Sequence, residues 1–267
     1  MLACARFGLD LASPVKISSM EKFVKNISKK MKAVLPEDVL SLLRKIGETA
    51  GAMGYRAFLV GGVVRDILLG RKNLDLDIVV EGEGIRVGGA LARELDAGLV
   101  VHKKFGTCTV STDKGMKIDF ATARREIYPH PAALPDVEPS SIEDDLRRRD
   151  FTINAMAVSL NKSSFGRLID LFEGEEDLKS GRIRVMHDRS FIDDPTRIFR
   201  AVRFEARFGF KIDGHTEGLI KDAVRIDMAG KLSGHRRDKE LSLVKKEAEP
   251  ARIIKRIADF KADILWA

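Results

Sequence analysis

Apolar positions recur every three to four residues through Val39, Leu42, Leu43 and Ile46, just after Pro36-Glu37, and the run ends near Gly51 and Gly54. That spacing predicts an amphipathic helix with proline at its entrance. The short run Arg56–Val60 reads as a buried strand broken by Gly61-Gly62, and Val63–Leu69 as a helix closed by Gly70. Leu74, Leu76 and Ile78 then alternate with Asp75 and Asp77, the period of a strand. A helix is expected over Ile85–Leu95, followed by strands over Leu99–His102, Cys108–Ser111 and Met116–Phe120, the last two joined at the Asp113-Lys114-Gly115 turn.

Pro129, Pro131, Pro135 and Pro139 make Tyr128–Ser140 too proline-dense for a helix or a central strand, so a loop is predicted there. A helix over Ile142–Arg149 and a strand over Ala155–Leu160 follow. Beyond Phe172 the pattern turns helical, with helices expected at Pro195–Phe208, His215–Val224, Arg237–Lys246 and Ala251–Phe260. Residues 1–34, rich in lysine and poorly patterned, are expected to form a basic, loosely held arm. The chain thus divides into an arm (1–34), an α/β head (35–172) and a helical part (173–267), without internal repeats.

At 267 residues with 44% hydrophobic and 33% charged, the chain can bury a proper core as one large domain or two ordinary ones. No apolar stretch approaches the length of a membrane span, and Arg6 and Asp10 interrupt the N-terminal segment too early for a signal-peptide core. Cys4 and Cys108 stand far apart and the five histidines are scattered, which excludes a disulfide scaffold and a thiolate zinc cluster; a reducing cytoplasm is the default compartment. The net charge of +7 suits a polyanionic partner, although many proteins that bind no polymer carry as much.

Two constellations carry chemistry. On a strand, Asp75 and Asp77 share a face, and paired carboxylates suit a hard divalent cation whose remaining ligands are phosphate oxygens. The bland alternative is a solvated strand face. Upstream, Gly61-Gly62 between a strand and a helix lets backbone N–H groups approach an anion, with Arg65 one turn away. Its bland alternative is a plain turn with an Arg65–Asp66 surface pair. A dinucleotide fingerprint at Gly82-x-Gly84 fails because Val87 stands where a third glycine is needed, and there is no Walker A sequence.

Taken together, Leu59-Val60-Gly61-Gly62-Val63-Val64-Arg65-Asp66, Leu69-Gly70-Arg71 and Asp75-Leu76-Asp77-Ile78-Val79 resemble the head of class II tRNA nucleotidyltransferases. That family comprises CCA-, CC- and A-adding enzymes and bacterial poly(A) polymerases. Phe105-Gly106-Thr107, the run Arg148–Met156, Asp170…Gly174…Asp177-Leu178, Asp193-Asp194-Pro195-Thr196-Arg197 and Arg200…Arg203-Phe204 follow in the family's order, so the likeness extends from about Leu35 to Arg252.

The resemblance implies an α/β (α+β) head with a mixed sheet and an all-helical neck, with the start of a truncated body. It implies addition of C and/or A from CTP and ATP to the tRNA 3′ end, with pyrophosphate released. Asp75 and Asp77 would hold magnesium (Mg2+) for attack of an RNA 3′-hydroxyl on the α-phosphate. Asp119 is the candidate third carboxylate, its alternative being a strand-end acid beside Arg124. Gly61, Gly62 and Arg65 are expected at the nucleotide, with Arg149 meeting it and Asp150 lying near its ribose. Asp193, Asp194 and Arg197 would read the base: cytosine and adenine both offer an exocyclic amine beside a ring-nitrogen acceptor, a polarity that uracil and guanine reverse. Asp193 stands where the family more usually has glutamate. An aspartate before Pro195 also makes a good helix cap, with Arg197 in ion-pair reach. Arg200 and Arg203 continue the ridge.

Two rivals stand beside this reading. One is a poly(A) polymerase, against which His102-Lys103-Lys104-Phe105-Gly106-Thr107 looks more like the CCA-adding pattern. The other is a catalytically silent RNA-binding fragment, motivated by how little follows the neck, against which intact Asp75, Asp77, Arg65 and Arg149 argue. For the active head and neck, weak tRNA affinity is expected, with activity on an acceptor-stem minihelix close to that on whole tRNA. The sequence indicates no oligomeric state.

Overall fold

The strand alternation decides what each face of the central sheet carries. The structure is a computed structural model that describes residues 25–262. In chain order come α1 (Ser28–Val34), α2 (Glu37–Ala52), β1 (Arg56–Val60), α3 (Gly62–Leu68), β2 (Leu76–Glu81), α4 (Gly84–Glu94) and β3 (Gly98–His102). Strands β4 (Thr107–Ser111), β5 (Lys117–Thr122), β6 (Arg124–Ile127) and β7 (Asp136–Pro139) precede α5 (Ile142–Arg147), β8 (Met156–Ser159) and β9 (Leu168–Asp170). Seven strands form one mixed sheet in the order β3-β4-β5-β2-β1-β8-β9, parallel between β2 and β5 and antiparallel at its other pairings.

Leu76, Ile78 and Val80 of β2 point into the large core with Leu43 and Ile46 of α2 and Val87 and Leu91 of α4. The intervening positions face the other way. There Val79 joins Phe58 and Val60 of β1 and Ile142 and Leu146 of α5 in a smaller cluster. Asp77 shares that second face, and in the β2–β5 register it stands opposite Asp119.

The helical part comprises α6 (Gly174–Lys179), β10 (Arg182–Ile183), α7 (Ser190–Asp193), α8 (Thr196–Phe208), β11 (Lys211–Ile212), α9 (Gly214–Arg225), α10 (Gly234–Lys245) and α11 (Pro250–Asp259). Helix α8 is its spine: Ile198, Phe199, Ala201 and Val202 are buried, and Val244 of α10 and Ile253 and Ile257 of α11 are buried in the same core. Phe204 meets Phe151 of the head edge-on, with centroids 5.8 Å apart, so one core runs through both parts.

Three expectations need correction. Residues 25–34 do not form a loose arm: Asn26 bridges to Arg167, and Ile27, Met31 and Leu35 are buried. Their spacing of four puts one apolar helix face among the lysines. Residues 1–24 and Cys4 lie outside the described residues. The proline-rich stretch is not all loop, because Asp136–Pro139 pairs with β6. That ribbon is two-stranded and Pro139 is its last residue, where a missing N–H costs least. Asp75, finally, stands one residue before β2 rather than on it. Among the described residues no helix is long and apolar enough to cross a membrane.

Candidate active site

Strand β1 delivers the chain to Gly61, whose φ of +73° is a conformation that side chains other than glycine rarely adopt. A Cβ there would also stand 3.0 Å from Arg149 Nη1 and 3.8 Å from Asp77 Oδ2. Backbone, arginine and carboxylate therefore converge on one glycine. Gly62 opens the seven-residue α3, which presents Arg65.

Arg65 is not a surface pair with Asp66: the two are 6% and 8% exposed. Its Nε and Nη2 donate to the two Asp66 carboxylate oxygens at 2.9 and 3.0 Å, and Nη1 donates to Asn154 Oδ1 at 2.7 Å. The Phe208 ring lies 4.5 Å from the guanidinium carbon, a cation–π contact. A guanidinium has five N–H donors, and this fixed one keeps two for the cleft it borders.

Asp75 and Asp77 form the floor. Burial pushes the Asp77 carboxyl up to about 6, the charge of Asp75 adds to this, Arg149 opposes it, and Asp119 raises it further. Asp119 is exposed, accepts a hydrogen bond from Thr109 Oγ1, and lines an adjoining 410 Å³ cavity with Asp77. It is no strand-end acid beside Arg124, which pairs instead with Glu126 at 3.2 Å. Among the described residues no three His, Cys, Asp or Glu side chains group as metal ligands. Two crowded carboxylates nonetheless fit a magnesium-like cation, which takes one or two carboxylates and completes its shell with water and substrate phosphate.

The head-side wall is the run after α5. Arg148 pairs with Asp145 at 2.7 Å and Glu126 at 2.9 Å, and Arg149 Nη2 reaches Asp145 at 2.9 Å. Among the described residues the buried Arg149 Nε has no hydrogen-bond partner. Burial acts to raise the Asp150 carboxyl, but Arg200, the Asn154 amide and the Phe151 N–H outweigh it and hold it below the usual carboxylate range. Arg200 grips one oxygen of Asp150 at 2.6 and 2.8 Å, fastening α8 to the head.

The neck-side wall starts at Asp194. Its Oδ1 accepts from the Thr196 N–H at 3.0 Å, Thr196 Oγ1 at 2.6 Å and Arg236 Nη2 at 2.6 Å, while no donor is found on Oδ2 among the described residues. The cap expected before α8 is thus present, but the ion pair with Arg197 is not. Arg197, 4% exposed, donates instead to Ser190 Oγ at 2.6 Å and the Arg148 carbonyl at 2.8 Å, both uncharged. Arg203 pairs with Glu240 at 3.3 Å and Glu247 at 3.1 Å.

These walls enclose a cleft of 530 Å³ bordered by seven arginines and five carboxylates. Gly61, Gly62, Arg65, Asp75, Asp77, Arg149, Asp150, Asp194, Arg197, Arg200 and Arg203 all border it. Asp119 and Asp193 do not. Asp193 ends α7 with its carboxylate 3.5 Å from Arg189 one turn back, beside an adjoining 240 Å³ cavity that shares Arg148 and Arg197 with the cleft. Sequence reasoning missed Asn73, Glu126, Tyr128, Asn154 and Arg207. Two carried a readable signal: Asn154 is the amide in the run Phe151–Met156, and Arg207 continues the helical series of Arg200 and Arg203. The cleft can hold a polyphosphate against arginine, with a dication on the floor and a base at the neck.

A family profile described as "Poly A polymerase head domain" matches residues 57–184. The A-adding tRNA nucleotidyltransferase of Geobacter sulfurreducens is 46% identical over 224 residues, covering 84% of this chain and 26% of that protein. The A-adding enzyme of Halalkalibacterium halodurans is 40% identical over 236 residues, covering 88% and 55%. A CCA-adding enzyme in apo form II superposes with a TM-score of 0.86 at 47% identity, covering 89% of this chain and 56% of that one. The chain belongs to the class II tRNA nucleotidyltransferase and poly(A) polymerase family. Two further nucleotidyltransferase structures superpose over 89% of the chain: a CCA-adding enzyme with ATP (TM-score 0.82, 44% identity, 55% of that chain) and that of Thermotoga maritima with tRNA_CCA (0.80, 43%, 54%). The chain spans about a quarter to a half of the length of these two curated nucleotidyltransferases.

Proposed function

We propose that this chain catalyses template-independent addition of nucleotides, from ATP and/or CTP, to the 3′ end of tRNA with release of pyrophosphate, in the cytoplasm. The observation that carries the reading is the 530 Å³ cleft in which Asp75 and Asp77 face Arg65, Arg149 and Arg197. The A-adding names of the two relatives favour AMP as the nucleotide added. The CCA-adding names of the structural neighbours favour a second reading, in which CTP is used too.

In this mechanism Asp75 and Asp77 would hold a divalent cation such as Mg2+, whose chemistry there would be to neutralise the charge that develops during phosphoryl transfer. Arg65 and Arg149 grip triphosphate oxygens from a fixed geometry, so little reorganisation is needed during transfer. The free Oδ2 of Asp194 accepts from the exocyclic amine of adenine or cytosine, and Arg197 donates to the ring nitrogen. Uracil would set a carbonyl against the carboxylate and an N–H against the guanidinium.

The test is magnesium-dependent release of labelled pyrophosphate from ATP and CTP with tRNAs ending before C, after CC and after CCA, with the products sequenced. One A added to tRNA ending in CC is the expected result. Addition of C supports the second reading. Long A tracts indicate a poly(A) polymerase, and no incorporation with any pair overturns catalysis in favour of RNA binding alone.

A further inference from the structure

Asp75 has a positional problem that its neighbour Asp77 does not. Asp77 sits within β2, held in register by β5, whereas the paired register begins at Leu76 and leaves Asp75 outside the ladder. Its backbone N–H donates instead to the side chain of Asn73, at 2.8 Å to Oδ1. That closure over two residues is a turn made by an asparagine amide standing in for backbone. The other end of the same amide is also engaged: Asn73 Nδ2 donates to Asp66 Oδ2 at 2.7 Å. Asp66 is the carboxylate that grips Arg65 at 2.9 and 3.0 Å. Three side chains and the Asp75 backbone N–H thus form one chain of hydrogen bonds and ion pairs, Arg65–Asp66–Asn73–Asp75, whose two end residues, with Asn73 itself, border the cleft.

We infer that Asn73 is a positioning residue that ties the metal-binding carboxylate Asp75 to the triphosphate-binding Arg65, an assignment that rests on the nucleotidyltransferase reading above. Its two ends do separable work. The carbonyl end sets the direction in which Asp75 leaves the turn. The amide end holds Asp66 against Arg65. An amide suits the junction better than an acid would, because it must accept from a backbone N–H and donate to a carboxylate at once. Partners that orient metal ligands are worth about 10- to 100-fold in metal affinity.

Two substitutions separate the ends. Asn73→Ala removes both bonds. Asn73→Ser keeps a short acceptor that can remake the turn, more weakly, but cannot span to Asp66. Mn2+ binding, read from the loss of the free-ion electron paramagnetic resonance signal, should weaken about tenfold in Asn73→Ala and by no more than about threefold in Asn73→Ser. KM for ATP should rise in both variants, since both cut the link to Asp66 and Arg65, with thermal midpoints near that of the parent. Wild-type Mn2+ affinity in Asn73→Ala, or equal weakening in the two variants, overturns the inference. Asp77→Ala is the control: should it bind Mn2+ like the parent, the metal site itself is misassigned, whereas loss there with no effect at Asn73 removes only the role of Asn73.

Discussion

The two sides of the cleft hold their charges in opposite ways. On the floor, Asp75 and Asp77 crowd together with Asp119 nearby, and Arg149 alone opposes the upward drift of the Asp77 carboxyl. On the neck side almost every charge is matched: Arg200 with Asp150, Arg203 with Glu240 and Glu247, Arg207 with Glu247, Arg236 with Asp194. Arg197 is the exception, buried among neutral acceptors. Of these matched pairs Arg200–Asp150 crosses from neck to head, and the others tie the neck together. Unmatched charges are costly in the free protein and gain most when a ligand of opposite sign arrives. Chemistry should therefore fail when the floor or Arg197 is changed, and folding should fail when a matched pair is cut.

The largest expected effect is on the floor. Asp75→Ala or Asp77→Ala should lower turnover by at least about a hundredfold, the loss typical of removing a preorganised charge at a transition state. Thermal midpoints should stay at or above that of the parent, because each change relieves carboxylate repulsion. Single-turnover incorporation with matched calorimetry checks both halves. Near-normal incorporation by either variant would place the metal elsewhere.

Asp150→Ala should do the reverse, striking stability first. The buried carboxylate anchors Arg200 across the junction, and a guanidinium left without its buried partner costs about 3–5 kcal/mol when fully enclosed. Here Arg200 is 36% exposed, so about 2 kcal/mol is expected. The effect carries a pH signature. The Asp150 carboxyl titrates below its unfolded value, so its contribution is complete above about pH 4 and fades as pH falls through the depressed folded value. Denaturant titrations of parent and variant at pH 7 and pH 3 should converge at the lower pH. A gap that stays constant would show that packing, not charge, carries the effect.

Much of this contrast was legible before any coordinates. The glycine pair and Asp77 could be read because each combines a telling residue type with a strand or turn that fixes its place, whereas the Arg148–Asp150 run, a charged helix end by itself, was legible only through the family resemblance. What escaped depended on distance in sequence. Asp194 reaches Arg236 across 42 positions, and Asp150 reaches Arg200 across 50. No periodicity reports such pairs, so Arg197 looked like the natural partner of its neighbouring acids, while tertiary packing gives it Ser190 and a carbonyl. The docking of α1 escaped for the opposite reason. Ile27, Met31 and Leu35 are a sound helix face, but the lysines between them dominated the composition.

Arg197→Ala should act on choice rather than on folding. With the donor gone, uracil no longer meets an opposed N–H, so the preference for ATP and CTP over UTP should fall about 10- to 100-fold, the range of one unsatisfied buried polar group. Competition assays with mixed triphosphates measure the ratio directly. Equal losses for every nucleotide, with UTP still refused, would reduce Arg197 to a brace between Ser190 and the Arg148 carbonyl.

The smallest effect is expected at Asp193, and it sharpens the comparison most cheaply. Asp193 and Asp194 are adjacent in sequence, and the family resemblance placed both at the base. The structure separates them: Asp194 turns into the cleft, whereas Asp193 completes α7 and faces Arg189, whose side chain is 71% exposed, at 3.5 Å. Only the arginine is exposed, the Asp193 side chain being 13% exposed, but at 3.5 Å from a solvated partner the pair contributes within about 1 kcal/mol, and asparagine keeps the volume of the buried acid. Asp193→Asn should therefore leave KM for ATP and CTP and the thermal midpoint close to those of the parent, while Asp194→Asn raises both KM values. The two variants differ by one position in the chain and by which side of the α7–α8 turn the carboxylate occupies. Equal defects would mean that nucleotide binding turns α7 and brings Asp193 into the cleft, so that the neck side is built by the ligand rather than standing ready for it.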